Sequence, residues 1–193
     1  MKLKCLCFIF LFFPSYAWAT PINVATGGTA SQSSTLSLWG PAGPENVIDG
    51  NTDGNWSYSD DNTLNHTYFE FGAWWEVDLG GIYEVHNIIV WNRVNYCCND
   101  RLNNFHVSLF DENRTEVFRI DYNEILEPVL NFGFDVNEAG RYVRVQMNDS
   151  DFLHLAEVQV FSPVPVPEPT SLLLLLSGLG GLVALSRRSV WVA

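Results

Sequence analysis

Two arginines flank a pair of adjacent cysteines: Arg93 precedes Cys97-Cys98 and Arg101 follows it, with His66 further upstream. A guanidinium is planar, always charged and presents its donors in a fixed fork, so two of them can grip neighbouring hydroxyls and a ring oxygen. A neutral imidazole accepts from, or donates to, one more hydroxyl. Adjacent cysteines cannot staple distant strands. Oxidised, they close a small ring that makes a stiff apolar knob; reduced, they are two thiols. The combination suits a small uncharged polyol, a sugar above all. Each residue taken singly has a plainer reading. Arg93 can be a surface charge, Arg101 can pair with Asp100 or Glu70, and His66 can be solvated, as His86, His106 and His154 are read unless they are strand positions. Nothing comparable points to catalysis. Asp60, Asp61 and Glu70 lie near His66, but no two of them stand out as the flanking carboxyls that a glycosidase needs. Neither a nucleophile elbow nor a zinc motif occurs. No catalytic residue is assigned, and the chain is expected not to be an enzyme.

The elements that must position these groups lie between the two ends of the chain, which read as targeting segments. Lys2 and Lys4 precede an apolar run from Leu6 to Phe13, and Ala17-Trp18-Ala19 offers small residues for cleavage. Residues 1–19 are therefore read as a signal peptide that takes Cys5 and Cys7 with it, and the mature chain is expected to begin at Thr20. At the other end, a proline-rich linker over 163–169 leads into residues 170–193. There an apolar stretch from Leu172 to Leu185 is followed by Arg187-Arg188. The stretch is short beside the roughly 20 residues of a spanning helix. Its glycines permit close packing, and the basic pair fits a cytoplasmic stop. An exported domain, a spacer and a single apolar helix anchored in a membrane result.

Between Thr20 and Ser162 there are six arginines, no lysine and 21 acidic residues. So acidic a domain repels nucleic acid and anionic membrane surfaces, which excludes nucleic-acid binding. It does suit a hard cation such as calcium. Runs rich in Val, Ile, Phe, Tyr and Trp recur at Trp74–Leu79, Val85–Trp91, Phe105–Phe110, Glu116–Ile120, Arg141–Met147 and Ala156–Phe161, separated by Gly, Asn and Asp. No helical period and no internal repeat interrupts them. The expected fold is all-β, a jelly-roll β-sandwich.

Several phrases in order give this reading a family. They are Asn23-Val24-Ala25, Thr29-Ala30-Ser31-Gln32-Ser33-Ser34, Asn46-Val47-Ile48-Asp49-Gly50-Asn51, Trp74-Trp75-Glu76-Val77-Asp78-Leu79-Gly80, Ile88-Ile89-Val90-Trp91-Asn92-Arg93 and Leu155-Ala156-Glu157-Val158-Gln159-Val160. Together they resemble the F-type lectins, or fucolectins, of the discoidin and coagulation-factor type C superfamily, whose domains have the galactose-binding-domain-like fold. The resemblance covers nearly all of residues 22–161. The sugar signature of that family is a histidine, 26 residues, an arginine, one residue, an aspartate, four residues and a basic residue. His66 and Arg93 keep the interval of 26 residues. Asn95 then stands where the aspartate is expected, and Tyr96 is one extra residue before Cys97. The resemblance implies a carbohydrate site made of His66, Arg93, Arg101 and a Cys97–Cys98 disulfide, with fucose or a related deoxy sugar on a glycan as ligand. It further implies an apolar wall for the 6-methyl group, drawn from Leu38, Trp39 or Trp56.

The same resemblance implies one structural calcium ion. Its ligands would be the carbonyls of Asn46, Asn51 and Ala156, the carboxylates of Asp49 and Glu157, and Thr63; the run from Asp49 to Asn55 is also readable as ordinary Asx turns. Two positions that many fucolectins bridge by a disulfide are Leu64 and Ala156 here, which leaves calcium as the expected main tie between that loop and the last strand. The order Pro167-Glu168-Pro169, apolar helix, arginine pair resembles the PEP-CTERM sorting signal of Gram-negative bacteria. That implies an exosortase-type processing enzyme as partner, a transient inner-membrane anchor and a final place in the cell envelope, on the surface or in the extracellular matrix. No oligomerisation segment is visible.

Overall fold

Alternation of buried and exposed side chains along β-branched and aromatic runs produces nine strands among the described residues, joined by turns that Gly, Asn and Asp supply. The computed structural model describes residues 20–38, 40–57, 63–95, 97–123 and 131–163, all within one unit spanning residues 20–164. The signal peptide, the linker past Pro163, the C-terminal apolar segment, Trp39, Asp60, Asp61 and Tyr96 lie outside the described residues.

The strands are β1 (Ile22–Asn23), β2 (Thr29–Gln32), β3 (Glu70–Phe71), β4 (Trp74–Asn92), β5 (Phe105–Phe110), β6 (Glu116–Tyr122), β7 (Asn131–Met147), β8 (Ser150–Asp151) and β9 (Leu155–Ser162). Two short 3-10 turns, Ala25–Gly27 and Pro44–Val47, are the helical elements among the described residues. Every pairing is antiparallel. The main sheet runs β1-β9-β4-β7-β5-β6 with β2 also on β4, and β3 and β8 form a separate two-stranded ribbon.

Two long strands make this one sheet into two layers. The first part of β4 (Trp74–Asp78) pairs with β2 and with the end of β7, while its last part (Asn87–Asn92) pairs with β9 and with the start of β7. Between those parts the β4–β7 register slips, and Gly80 takes φ +78°, a conformation that side-chain-bearing residues rarely adopt. The runs Trp74–Leu79 and Val85–Trp91, which read as two strands in the sequence, are thus one strand that crosses from layer to layer. The expected all-β jelly-roll sandwich is the fold of the domain.

The core fills the space between the layers with Trp75, Val77, Ile88, Val90, Phe105, Val107, Val143, Val145, Val158 and Val160, all wholly buried. A smaller apolar cluster of Ala42, Trp56, Leu64 and Ala156, with Trp91 packed on it, lies under the loops. It floors the functional end of the domain. Leu64 and Ala156, the absent cysteine pair, fill this cluster side by side.

Candidate functional site

The last turn of β4 starts the site. Trp91 faces Glu157 and Asn92 faces Leu155 across the ladder, so Ala156 is the extra residue of a β-bulge. Just past the bulge the chain leaves the sheet at Arg93, which is buried. Val94 N–H donates to the Gly54 carbonyl at 2.8 Å, and a Cβ on Gly54 would collide with the Asn92 carbonyl oxygen, so this close approach requires glycine. Asn95 then clasps Trp56: its Oδ1 accepts from the Trp56 N–H at 2.6 Å, and its Nδ2 donates to the Trp56 carbonyl at 3.0 Å. An aspartate could accept but not donate here. The departure from the family signature therefore has a structural task, which is to hold Trp56 against Arg93.

Cys97 and Cys98 are joined to each other, and Cys98 takes φ 77°. The turn after them closes when Arg101 N–H donates to the Cys98 carbonyl at 3.3 Å, and Asn92 Nδ2 pins it to the strand through the Asn99 carbonyl at 2.8 Å. His66 arrives from another loop. Its N–H donates to the Ala42 carbonyl and its own carbonyl accepts from Leu36 N–H.

These segments enclose a cavity of about 330 Å³ lined by Trp56, His66, Arg93, Cys97, Cys98, Arg101 and Phe152. All five residues expected of the carbohydrate site line it. Both guanidiniums are stacked on rings: Arg93 lies 5.0 Å from the Trp56 centroid and Arg101 4.5 Å from that of Phe152. Such contacts fix a guanidinium plane while leaving its edge to donate. The His66 ring meets Trp56 and Phe152 edge-on at 5.4 and 5.3 Å. Its Nδ1 bonds the Thr67 carbonyl at 2.7 Å, which makes Nδ1 the donor and Nε2 the acceptor of a neutral ring. Burial, with the charges of Arg101 and Arg93, holds its pKa below the usual imidazole value against the pull of that carbonyl.

Of the proposed methyl wall, Trp56 lines the cavity, whereas Leu38 is 75% exposed and is not among its lining residues. Two residues escape sequence reasoning altogether. Phe152 supplies a wall and the platform for Arg101. His154, read as solvated or as a strand position, is wholly buried 5.2 Å from His66, with no hydrogen-bond partner for either ring nitrogen. Burial above all, then the charges of His66, Arg93 and Arg101, keeps it neutral. Arg101 approaches neither Asp100 nor Glu70; Asp151 is its ion-pair partner, at 3.9 Å. Glu70 instead accepts from the hydroxyls of Ser33 and Ser34.

The second constellation lies along the Asp49 loop. Successive Asx turns link Asp49 to Asn51, Asn51 to Asp53 and Asp53 to Asn55. Gly50 N–H donates to Glu157 Oε1 at 3.2 Å, Thr63 Oγ1 donates to the Asp53 carbonyl, and Asn46 Nδ2 donates to that of Leu64. Ala156 sits in the bulge beside Glu157. The Glu157 side chain is wholly buried, and its Oε2 has no hydrogen-bond partner. Burial and the Asp49 carboxylate push its pKa up to about 8. An orphaned buried carboxylate oxygen beside a second acid is an oxygen-donor set that fits a hard cation. Hydrogen bonds also connect the loop around Leu64 to the last strand. Asn65 N–H to the Leu155 carbonyl, Leu155 N–H to Asn65 Oδ1, Thr67 N–H to the Leu153 carbonyl and Leu153 N–H to Thr67 Oγ1 lace the loop to β9 and the segment before it.

Residues 46–145 match the family model of the NedA-like, galactose-binding domain, and residues 165–189 match that of the PEP-CTERM protein-sorting motif. Fucolectin of Anguilla anguilla is 31% identical over 149 residues, covering 73% of this chain and 91% of that protein. The pentraxin fusion protein of Xenopus laevis is 32% identical over 151 residues, 72% of this chain but only 33% of that longer protein. A solved fucose binding module of Streptococcus pneumoniae superimposes with a TM-score of 0.65 at 32% identity, over 74% of this chain and 96% of that one. Fold and cavity define a galactose-binding-type β-sandwich module. The chain belongs to the fucolectin, or F-type lectin, family.

Proposed function

We propose that this protein is an exported, non-catalytic lectin whose cavity takes fucose or a related deoxy sugar at the end of a glycan. One observation carries the reading: two ring-stacked guanidiniums and a neutral imidazole converge on a cavity whose remaining walls are aromatic or disulfide. The guanidinium edges donate to ring hydroxyls, His66 Nε2 accepts from one, and Trp56, Phe152 and the Cys97–Cys98 sulfurs cover the C–H face and the methyl group. The names of the eel and pneumococcal relatives support fucose as the sugar. No carboxyl pair is among the described residues that line the cavity, which suits binding without turnover.

Asp49 and Glu157, with carbonyls of Asn46, Asn51 and Ala156 and with Thr63, would hold a calcium ion that offsets the charge of an ionised Glu157 beside the exposed Asp49. The oxidised cysteine pair suits an exported protein. The sorting motif supports processing by an exosortase-type enzyme at the inner membrane and delivery to the envelope, surface or matrix of a Gram-negative cell. The test is a glycan array probed with the purified protein and with Arg93→Ala. Signal on fucosylated glycans, lost in the variant, is expected. A blank array from a folded protein would make it a structural matrix component instead.

A further inference from the structure

The cavity continues past its own rim. Phe152 gives one face to Arg101, and the Phe69 ring meets it edge-on at 5.4 Å. Phe69 is 59% exposed, and its neighbours Tyr68 and Phe71 are 51% and 79% exposed. Three exposed aromatics in one short segment, one of them in contact with the cavity wall, point to a contact surface. This one is also firmly built. The β3–β8 ribbon pairs Glu70 with Asp151 and Phe71 with Ser150, and Gly72 N–H donates to the Asp149 carbonyl at 2.9 Å. Glu70 Oε1 accepts from Ser33 and Ser34, and Ser34 Oγ accepts from Tyr68 N–H at 2.9 Å. The ordering cost of an aromatic shelf is thereby met before any ligand arrives.

We infer that the Phe69 shelf is a second sugar subsite, which stacks the pyranose ring linked to the one in the cavity. The inference rests on the lectin reading above. The occupant is the next ring of the same glycan because the shelf joins the cavity through Phe152, one ring contact away. It is an uncharged ring with an apolar C–H face. The backbone that carries the shelf is edged by Glu70, Asp149 and Asp151 in a strongly acidic domain, which disfavours sialylated or sulfated sugars and anionic lipid.

Calorimetry on the full chain in mild detergent tests this, with methyl α-fucoside set against a panel of neutral fucosyl disaccharides of different linkage. The preferred disaccharide is expected to bind about tenfold more tightly than the monosaccharide, the order of one aromatic contact. Phe69→Ser should bring that ratio to within about twofold while leaving methyl fucoside affinity unchanged, and Phe69→Trp should keep it. An undiminished ratio in Phe69→Ser overturns the subsite, as does a wild type without preference for any disaccharide. Self-association that Phe69→Ser abolishes would assign the shelf to a second copy of the chain, and so overturn it too. Absence of binding even to methyl fucoside removes the lectin reading itself and the subsite with it.

Discussion

The domain sets a basic and an acidic polar centre next to one small apolar cluster, and they are finished to different degrees. Around the cavity, Arg93 and Arg101 bring positive charge, His66 brings a neutral ring, and no carboxylate is among the described residues that line the wall. Each guanidinium is nonetheless settled on an aromatic ring, and the imidazole is held neutral. Along the Asp49 loop, Glu157 brings a buried carboxyl whose pKa is pushed up to about 8 by burial and the Asp49 carboxylate, and it keeps one oxygen without a partner. The first centre has its charged groups packed on aromatic rings. In the second, Glu157 can ionise at neutral pH only if a cation joins it beside Asp49. A buried charge without compensation is among the costliest features a fold can carry, so the two centres should respond to different removals.

The largest separation should come from metal removal. Saturating calcium at a hundred times its dissociation constant stabilises by about 2.7 kcal/mol, so a chelator is expected to lower Tm by about 5–10 °C. Glu157→Gln removes the orphaned carboxyl and should make Tm insensitive to chelator. Thermal scans with and without EDTA read this directly, and an identical Tm in the wild type would mean that the acid pair holds no cation.

How far this contrast could be read from the sequence depends on what carried it. The interval from His66 to Arg93 and the cysteine pair between the arginines are local facts, and the structure gathers those five residues around one cavity. Phe152 and His154 carry no such signal, because they reach the site only after the chain has passed through β5 to β8. The acids Asp49 and Glu157 were legible by family resemblance, but not the bulge that sets Ala156 apart. Gly80-Gly81 reads as a turn between two strands, and the structure uses it to pass one strand between layers. The absent cysteine pair implies a loop tied by metal; the bonds that Asn65 and Thr67 make to β9 and the segment before it, by backbone and side chain alike, carry no spacing signal in the sequence.

The next largest effect concerns how finished the cavity is. Asn95→Ala deletes both bonds to Trp56, worth about 1 kcal/mol each. Tm should fall by about 4–8 °C, and sugar affinity by about tenfold as Trp56 and the Arg93 stacked on it loosen. Asn95→Asp should lose less, since its carboxylate still accepts from the Trp56 N–H. Sugar titrations of the two variants rank them, and equal affinity in all three proteins would show that the clasp does not position the cavity.

The smallest effect probes a buried ring behind the cavity. His154 buries two ring nitrogens that make no hydrogen bond, so His154→Leu exchanges an unsatisfied polar side chain for an apolar one. The expected gain is about 1 kcal/mol, or about 2–4 °C in Tm, with sugar affinity unchanged because His154 does not line the cavity. Acid sensitivity should survive the exchange. The folded pKa of His66 lies below its unfolded value near 6.5, so its contribution to stability is present above about pH 6.5 and is lost as pH falls through the lowered value. Protonation also fills the Nε2 lone pair that would accept the sugar hydroxyl. Affinity measured from pH 8 to pH 5 should therefore hold steady and then drop, in wild type and His154→Leu alike. A profile flattened by His154→Leu would transfer the acid response to the buried ring.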